Sequence, residues 1–232
     1  SNVISGSPGG VNLGQYNSAY SWGVNLGEQN KGYNGGYNFG SANSANNGSI
    51  NIGKKNTGYE GGYNFGWANS SNIGSINIGE NNSATVGSYN IGRYNNTING
   101  YTFGYHNNTN LGFSIGQYNS ANEASYAFGD NNTANKLGYT FGYGNTASYE
   151  SYSIGKYNNA INGSFVFGYG NVLTSGGLIF GRNNNSFDGS IVIGNDSTTN
   201  YGSVAIGARN YAKSGSFILG NINTATKGTT II

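Results

Sequence analysis

Residues 203–212, reading S-V-A-I-G-A-R-N-Y-A, hold the unit that decides the fold. Val204 and Ile206 flank Ala205, Gly207 follows at once, Asn210 lies three residues after the glycine and the small Ala212 lies five after it. With the glycine as marker, the same arrangement recurs at Gly14, Gly27, Gly40, Gly53, Gly66, Gly79, Gly92, Gly104, Gly116, Gly129, Gly142, Gly155, Gly168, Gly181, Gly194, Gly207 and Gly220. Of the sixteen intervals, fourteen are 13 residues and the two flanking Gly104 are 12. A short fixed period of this kind marks a solenoid.

Three more positions keep the register. Four residues before the marker stands Gly or Ser in every copy, three after it stands Asn except at Ser197, and five after it the side chain is small except at Leu173. The spacing of two within the apolar pair, as in Ile50 and Ile52, puts both side chains on one face of a strand. That face is expected inside the coil, with the small residues five after the marker leaving room for it. The glycine suits a corner of positive φ, and the asparagine beyond it can bond backbone groups across that corner.

One coil alone cannot offset the ordering of thirteen residues at ~1–2 kcal/mol each, so stability must come from stacking. At ~4.8 Å per coil, seventeen coils predict a rod on the order of 80 Å long, with identical residues in ladders and asparagine amides bonding along the axis. The fold expected is therefore all-β, a parallel β-roll or β-solenoid with 13-residue coils over residues 9–232. Residues 1–8, with Pro8, fall outside the pattern and are expected to cap or lead into the first coil. The 12-residue intervals predict a local irregularity near Asn99 and Leu111. Residues 228–232 begin a further copy, which suggests a fragment of a longer protein.

The residue between the apolar pair is expected to point outward, and it changes along the chain. It is Asn in the seven copies from Asn12 to Asn90, then Thr102, Ser114, Ala127, Thr140 and Ser153, and at the end Val166, Ile179, Val192, Ala205 and Ile218. Those last five would form an exposed apolar stripe, which a soluble protein rarely leaves uncovered. They are the candidate interface, most simply with copies of the same chain.

Composition limits the function. Of 232 residues 42 are glycine, charged residues are 8%, the net charge is +2 and there is no cysteine. Scattered cations give no footprint of a nucleic-acid binder, and neither a disulfide framework nor a thiolate metal site is available. No apolar run approaches the ~20 residues of a membrane-spanning helix. The single histidine, His106, reads as a solvated turn residue rather than a catalytic or metal-binding group. Asp130, Asp188 and Asp196 occupy non-equivalent positions, against a calcium-binding repeat. No enzyme, cofactor or metal is therefore expected.

The hexapeptides G-S-V-A-I-G at 202–207, G-S-I-V-I-G at 189–194 and G-S-F-I-L-G at 215–220 resemble the head repeats of YadA-like trimeric autotransporter adhesins. The resemblance implies a left-handed parallel β-roll, three rolls about a threefold axis, and a place on the bacterial outer surface through an anchor beyond this chain. It also implies binding to extracellular matrix proteins or host cell-surface receptors, with CEACAM-type receptors among the partners of some members. The middle residue, usually Ala in that family, is here Asn in the first seven copies. Rival readings are a curli-like structural fibre, disfavoured by the scarcity of glutamine, and a phage tail-fibre segment.

Aromatic residues divide into two sets. Tyr37, Phe39, Tyr63, Phe65, Tyr101, Phe103, Tyr126, Phe128, Tyr139 and Phe141 belong to the apolar pair and are expected in the core. Trp67, Tyr105, Tyr143 and Tyr169 directly follow a marker glycine, and Tyr94, Tyr118 and Tyr157 come one later. Those seven are expected at the surface, where exposed Tyr and Trp serve as binding anchors, and they are the candidate ligand-binding residues.

Overall fold

The computed structural model describes residues 1–5 and 9–232, all of it strands and turns, in two compact units, Ser1–Gly116 and Gln117–Ile232. Each unit is a parallel β-solenoid. A coil consists of a long strand such as Val204–Ala208, a corner, a short strand such as Tyr211–Lys213, and a return turn. Long strands pair with long and short with short, in the register of the repeat: Tyr63 faces Ile76, Phe65 faces Ile78 and Gly66 faces Gly79. In the second unit Ile191 faces Val204 and Ile193 faces Ile206.

The marker glycine fixes the corner. Gly155 has φ of 121°, and a Cβ built on it would lie 2.0 Å from the carbonyl oxygen of Gly168 in the next coil. Backbone of one coil thus rests directly on backbone of the next, which no other residue permits.

The two faces of the long strand are the reverse of the sequence expectation. Ala127, Val166, Ile179, Val192, Ala205 and Ile218, the middle residues, are fully buried, whereas Ile193 and Leu219 of the apolar pair are each 43% exposed. Val166, Ile179, Val192, Ala205 and Ile218 therefore form the core of the second unit and not an interface. Val166, Ile179 and Val192 pack with Ala160 and Leu173, while Ala205 and Ile218 pack with Ala212 and Ala225. Tyr37, Phe39, Tyr63, Phe65, Tyr101, Tyr126 and Phe141 lie on the outer face of the long strands, and Phe103, Phe128 and Tyr139 are half-buried there.

Space inside the coil explains the reversal. Four side chains per coil point in: the Gly or Ser before the strand, the middle residue, the corner asparagine and the small residue beyond it. The small residue faces the middle one, so closely that a Cβ at Gly58 would meet Asn51 Oδ1 at 2.9 Å. An interior that holds one small residue against the middle one cannot also hold two aromatic rings.

Hydrogen bonds run through the interior of the first unit. Asn25, Asn38, Asn51, Asn64, Asn77 and Asn90 each donate from Nδ2 to Oδ1 of the asparagine one coil earlier, at 2.8–3.1 Å. Each also donates to a carbonyl of the short strand, as Asn38 does to Lys31 at 2.7 Å. At the end of this ladder Thr97 donates to Asn90 Oδ1, and hydroxyl contacts continue through Thr102, Thr109 and Ser114.

The corner asparagines make a second ladder. Asn56 donates from Nδ2 to the marker carbonyl of Gly66 at 2.9 Å, while its Oδ1 accepts the N–H of Asn69 at 3.0 Å. Within each unit the corners are thereby bonded one to the next, as the sequence predicts. Ser197, with no amide, still accepts the N–H of Asn210 at 3.1 Å.

Each coil presents two unlike outer faces. The long strands expose only Val, Leu, Ile, Phe and Tyr at the two pair positions, and rings stack along them at small interplanar angles. Tyr126, Tyr139, Tyr152 and Phe165 follow one another at 4.6–4.9 Å. Burial in this stack holds the Tyr139 hydroxyl above the ordinary phenol range. The short strands expose mostly Ser, Thr and Asn, for example Thr133, Asn135, Thr146 and Ser148.

The 12-residue coils are irregular only at the return turn. Asn34 and Gly35 both take the left-handed conformation in a typical turn, whereas Asn99 and Leu111 take it alone before the next strand. Pairing of the long strands passes through this point unchanged, with Tyr89 facing Tyr101. At the start of the chain Val3–Ser5 pairs in parallel with Ser18–Tyr20. The rest of the expected cap, including Pro8, lies outside the described residues.

Candidate functional site

The corner edge of each unit carries the candidate binding residues. After the marker glycine the chain takes one extended residue and then one left-handed residue, φ 56° at both Tyr94 and Tyr157, so two consecutive side chains project outward before the asparagine turns in. Trp67, Tyr94, Tyr118, Tyr143, Tyr157 and Tyr169 are 38–51% exposed, and Tyr105 is half-buried. Their surface position agrees with the sequence reading.

In the first unit Tyr94 stacks on His106, with centroids 5.1 Å apart, and meets Tyr105 edge-on at 5.9 Å. His106 is thus a turn residue, φ 56°, in an aromatic contact. Lys55 lies over the Trp67 ring at 5.9 Å and Arg93 over the Tyr94 ring at 5.2 Å. Arg93 also forms an ion pair with Glu80 at 3.0 Å, which holds its guanidinium above its ordinary range.

The second unit repeats the pattern without an ion pair among its described residues. Tyr143 and Tyr157 meet edge-on at 5.3 Å, and Tyr157 and Tyr169 at 6.0 Å. Lys156 sits 5.3 Å from the Tyr143 ring and 5.1 Å from that of Tyr157, and Arg182 sits 5.8 Å from Tyr169. A hydrogen bond with Tyr143 is the main reason the Tyr157 hydroxyl titrates above its ordinary range.

Neither known protein families nor curated proteins match this sequence. The chemistry of the edge has to be read from its own residues. Aromatic faces beside cations at the corners suit ligands that offer both a flat apolar surface and negative charge.

The sequence reading found the aromatic residues of this edge but not the cations that accompany them. The signal was present: Lys55, Arg93, Lys156 and Arg182 occupy the same two corner positions as the aromatic residues, in the same coils or in adjoining ones.

Proposed function

We propose that this protein is the head of a trimeric cell-surface adhesin, in which copies of the chain pack through the outer face of the long strands and bind extracellular ligands along the corner edges. The observation that carries the reading is the difference between the two outer faces. One is mostly Ser, Thr and Asn, while the other shows only aliphatic and aromatic side chains, coil after coil, with Phe165, Phe180 and Ile193 each more than 40% exposed. Contiguous apolar surface of this extent marks an interface.

Within a unit, a copy related by rotation about an axis parallel to that unit's stack offers a face of equal length and spacing, so a closed ring covers every coil of the unit. This role belongs to the outward apolar pair, in place of the buried middle column. The repeat resembles YadA-like heads in the same residues, and that resemblance supports three as the number of copies. It also supports the outer surface of a bacterium as the location, and a host receptor of the CEACAM type or a matrix protein as the partner.

Light scattering at micromolar concentration is expected to give three chains per particle. Ile91→Glu and Phe167→Glu, each placing a charge on the outer apolar face, are expected to yield monomers that keep their β circular dichroism. An open polymer for the parent would instead favour a structural fibre, and trimers for both variants would remove this face as the interface. Replacing Tyr105, Tyr143 and Tyr169 together with Ser is expected to abolish binding to an array of extracellular human proteins, with melting unchanged. Undiminished binding would exclude these residues from the ligand surface.

A further inference from the structure

We infer that the corner edge of the second unit, from Tyr143 to Arg182, binds a linear acidic polysaccharide that carries a carboxylate on alternate sugars. The inference rests on the reading of this edge as a ligand-binding surface and names the class of ligand.

Ring orientation is the first argument. On the outer face of the long strands, rings stack nearly parallel, as Tyr139 and Tyr152 do at 4°, so each ring covers its neighbour and only edges remain accessible. At the corner, Tyr143 and Tyr157 stand at 84° and Tyr157 and Tyr169 at 78°. Edge-on packing covers less of each ring than parallel stacking does, and with Lys156 and Arg182 lying over these rings the three residues remain 39%, 49% and 44% exposed. The exposed part of a tyrosine face is a surface on which the C–H side of a sugar ring packs, with the adjacent cation free to meet its carboxylate.

Spacing is the second. Tyr143, Tyr157 and Tyr169 lie on three successive coils, and coils repeat at ~4.8 Å, close to the length of one sugar in an extended polysaccharide. Lys156 and Arg182 lie two coils apart. Aromatic contact on successive coils and a cation on alternate ones match a chain in which every second sugar is a uronic acid.

Charge is the third. The one ion pair among the described residues is that of Arg93 with Glu80, so neither Lys156 nor Arg182 is neutralised by a carboxylate. Their ring contacts position the charges without cancelling them. Asp130 lies one coil before Tyr143, and Asp196, which accepts a hydrogen bond from Asn183 at 3.0 Å, lies one coil beyond Arg182. These carboxylates repel an anion at both ends and limit the site to the coils of Gly142, Gly155, Gly168 and Gly181.

The test uses the full chain with hyaluronan oligosaccharides, whose uronates alternate with neutral amino sugars, and with the same oligosaccharides after reduction of their carboxyl groups. Calorimetry is expected to show binding of the acidic form, weakened by added salt, and at least ~10-fold weaker binding of the reduced form. Lys156→Gln and Arg182→Gln should each lower affinity about 3- to 10-fold without changing the melting temperature, while Lys213→Gln, at the end of a short strand away from the corner edge, should have no effect.

Equal binding of both forms, unchanged affinity in the two variants, or no binding at millimolar sugar would each overturn the inference. If sugars fail to bind while the triple tyrosine variant still loses its protein receptor, the acidic-polysaccharide inference falls and the adhesive reading stands.

Discussion

Replacing Gly155 by alanine is expected to cost about 4 kcal/mol or more and to lower the melting temperature by ~10 °C or more, whereas alanine at Gly163 is expected to cost about 1 kcal/mol. Both glycines have positive φ, 121° at Gly155 and 70° at Gly163. At Gly163 nothing lies within 4 Å of the position an added methyl would take, so the substitution meets only the left-handed backbone preference. At Gly155 the methyl would sit 2.0 Å from the Gly168 carbonyl oxygen. A backbone atom cannot rotate aside as a side chain can, so the two coils must separate. Coils are held by their neighbours, and a break between two of them divides the unit. Thermal melts of the two variants decide the matter, and equal melting temperatures would mean that corners do not rest on one another.

The repeat, its period and the chemistry of its corner were legible in the sequence because they depend on local backbone demands. Glycine at the marker and asparagine three residues later are imposed by the turn itself. Which face of the strand turns inward depends instead on the width of the coil, and hydrophobicity points the wrong way there. Ile50 and Ile52 look like core beside Asn51, yet Asn51 is buried and Ile52 is 40% exposed.

A sequence signal for the correct choice did exist. The Gly or Ser before the strand shares its parity with the middle residue; the middle column is uniformly Asn through the early coils and the other holds only Gly or Ser, whereas the outward positions vary between aliphatic and aromatic residues. Uniformity marks the inward column, since an interior ladder requires the same group above and below. The exposure of the corner aromatic residues followed from their place after the glycine. Their perpendicular packing and the cations over their rings did not, because these depend on contacts between coils.

The two units hold their interiors together differently. In the second, Val166, Leu173, Ile179 and Val192 bury aliphatic side chains and draw on the hydrophobic effect. In the first, the equivalent column is asparagine from Asn25 to Asn90, and its amides must all be satisfied because an unpaired buried polar group costs about 1–3 kcal/mol. They are satisfied: each Nδ2 has an asparagine oxygen and a backbone carbonyl, and the Oδ1 groups accept from the next coil. Such a column is exacting, since it tolerates no change in the number or direction of donors.

Asn64→Asp is therefore expected to destabilise the first unit by about 4 kcal/mol at neutral pH, although it exchanges a single NH₂ for an oxygen. Asn64 Nδ2 donates to Asn51 Oδ1 and to the Thr57 carbonyl, both at 2.8 Å. In the variant two acceptor oxygens would face a carboxylate, buried where no cation reaches it. Burial and those acceptors favour the neutral form, so the folded-state pKa of the new carboxyl would rise above its unfolded value of ~3.9. The folded state would then hold the proton more tightly than the unfolded chain. The penalty is thus full above the raised pKa and shrinks as pH falls toward ~4, where the protonated group again offers one donor. Asn96→Asp, at an exposed position of the same unit, should stay within about 0.5 kcal/mol of the parent at either pH. Urea midpoints of both variants at pH 7 and pH 4 give the comparison. If Asn64→Asp behaves like Asn96→Asp, the middle column is not interior, and the apolar pair cannot be the face through which copies meet.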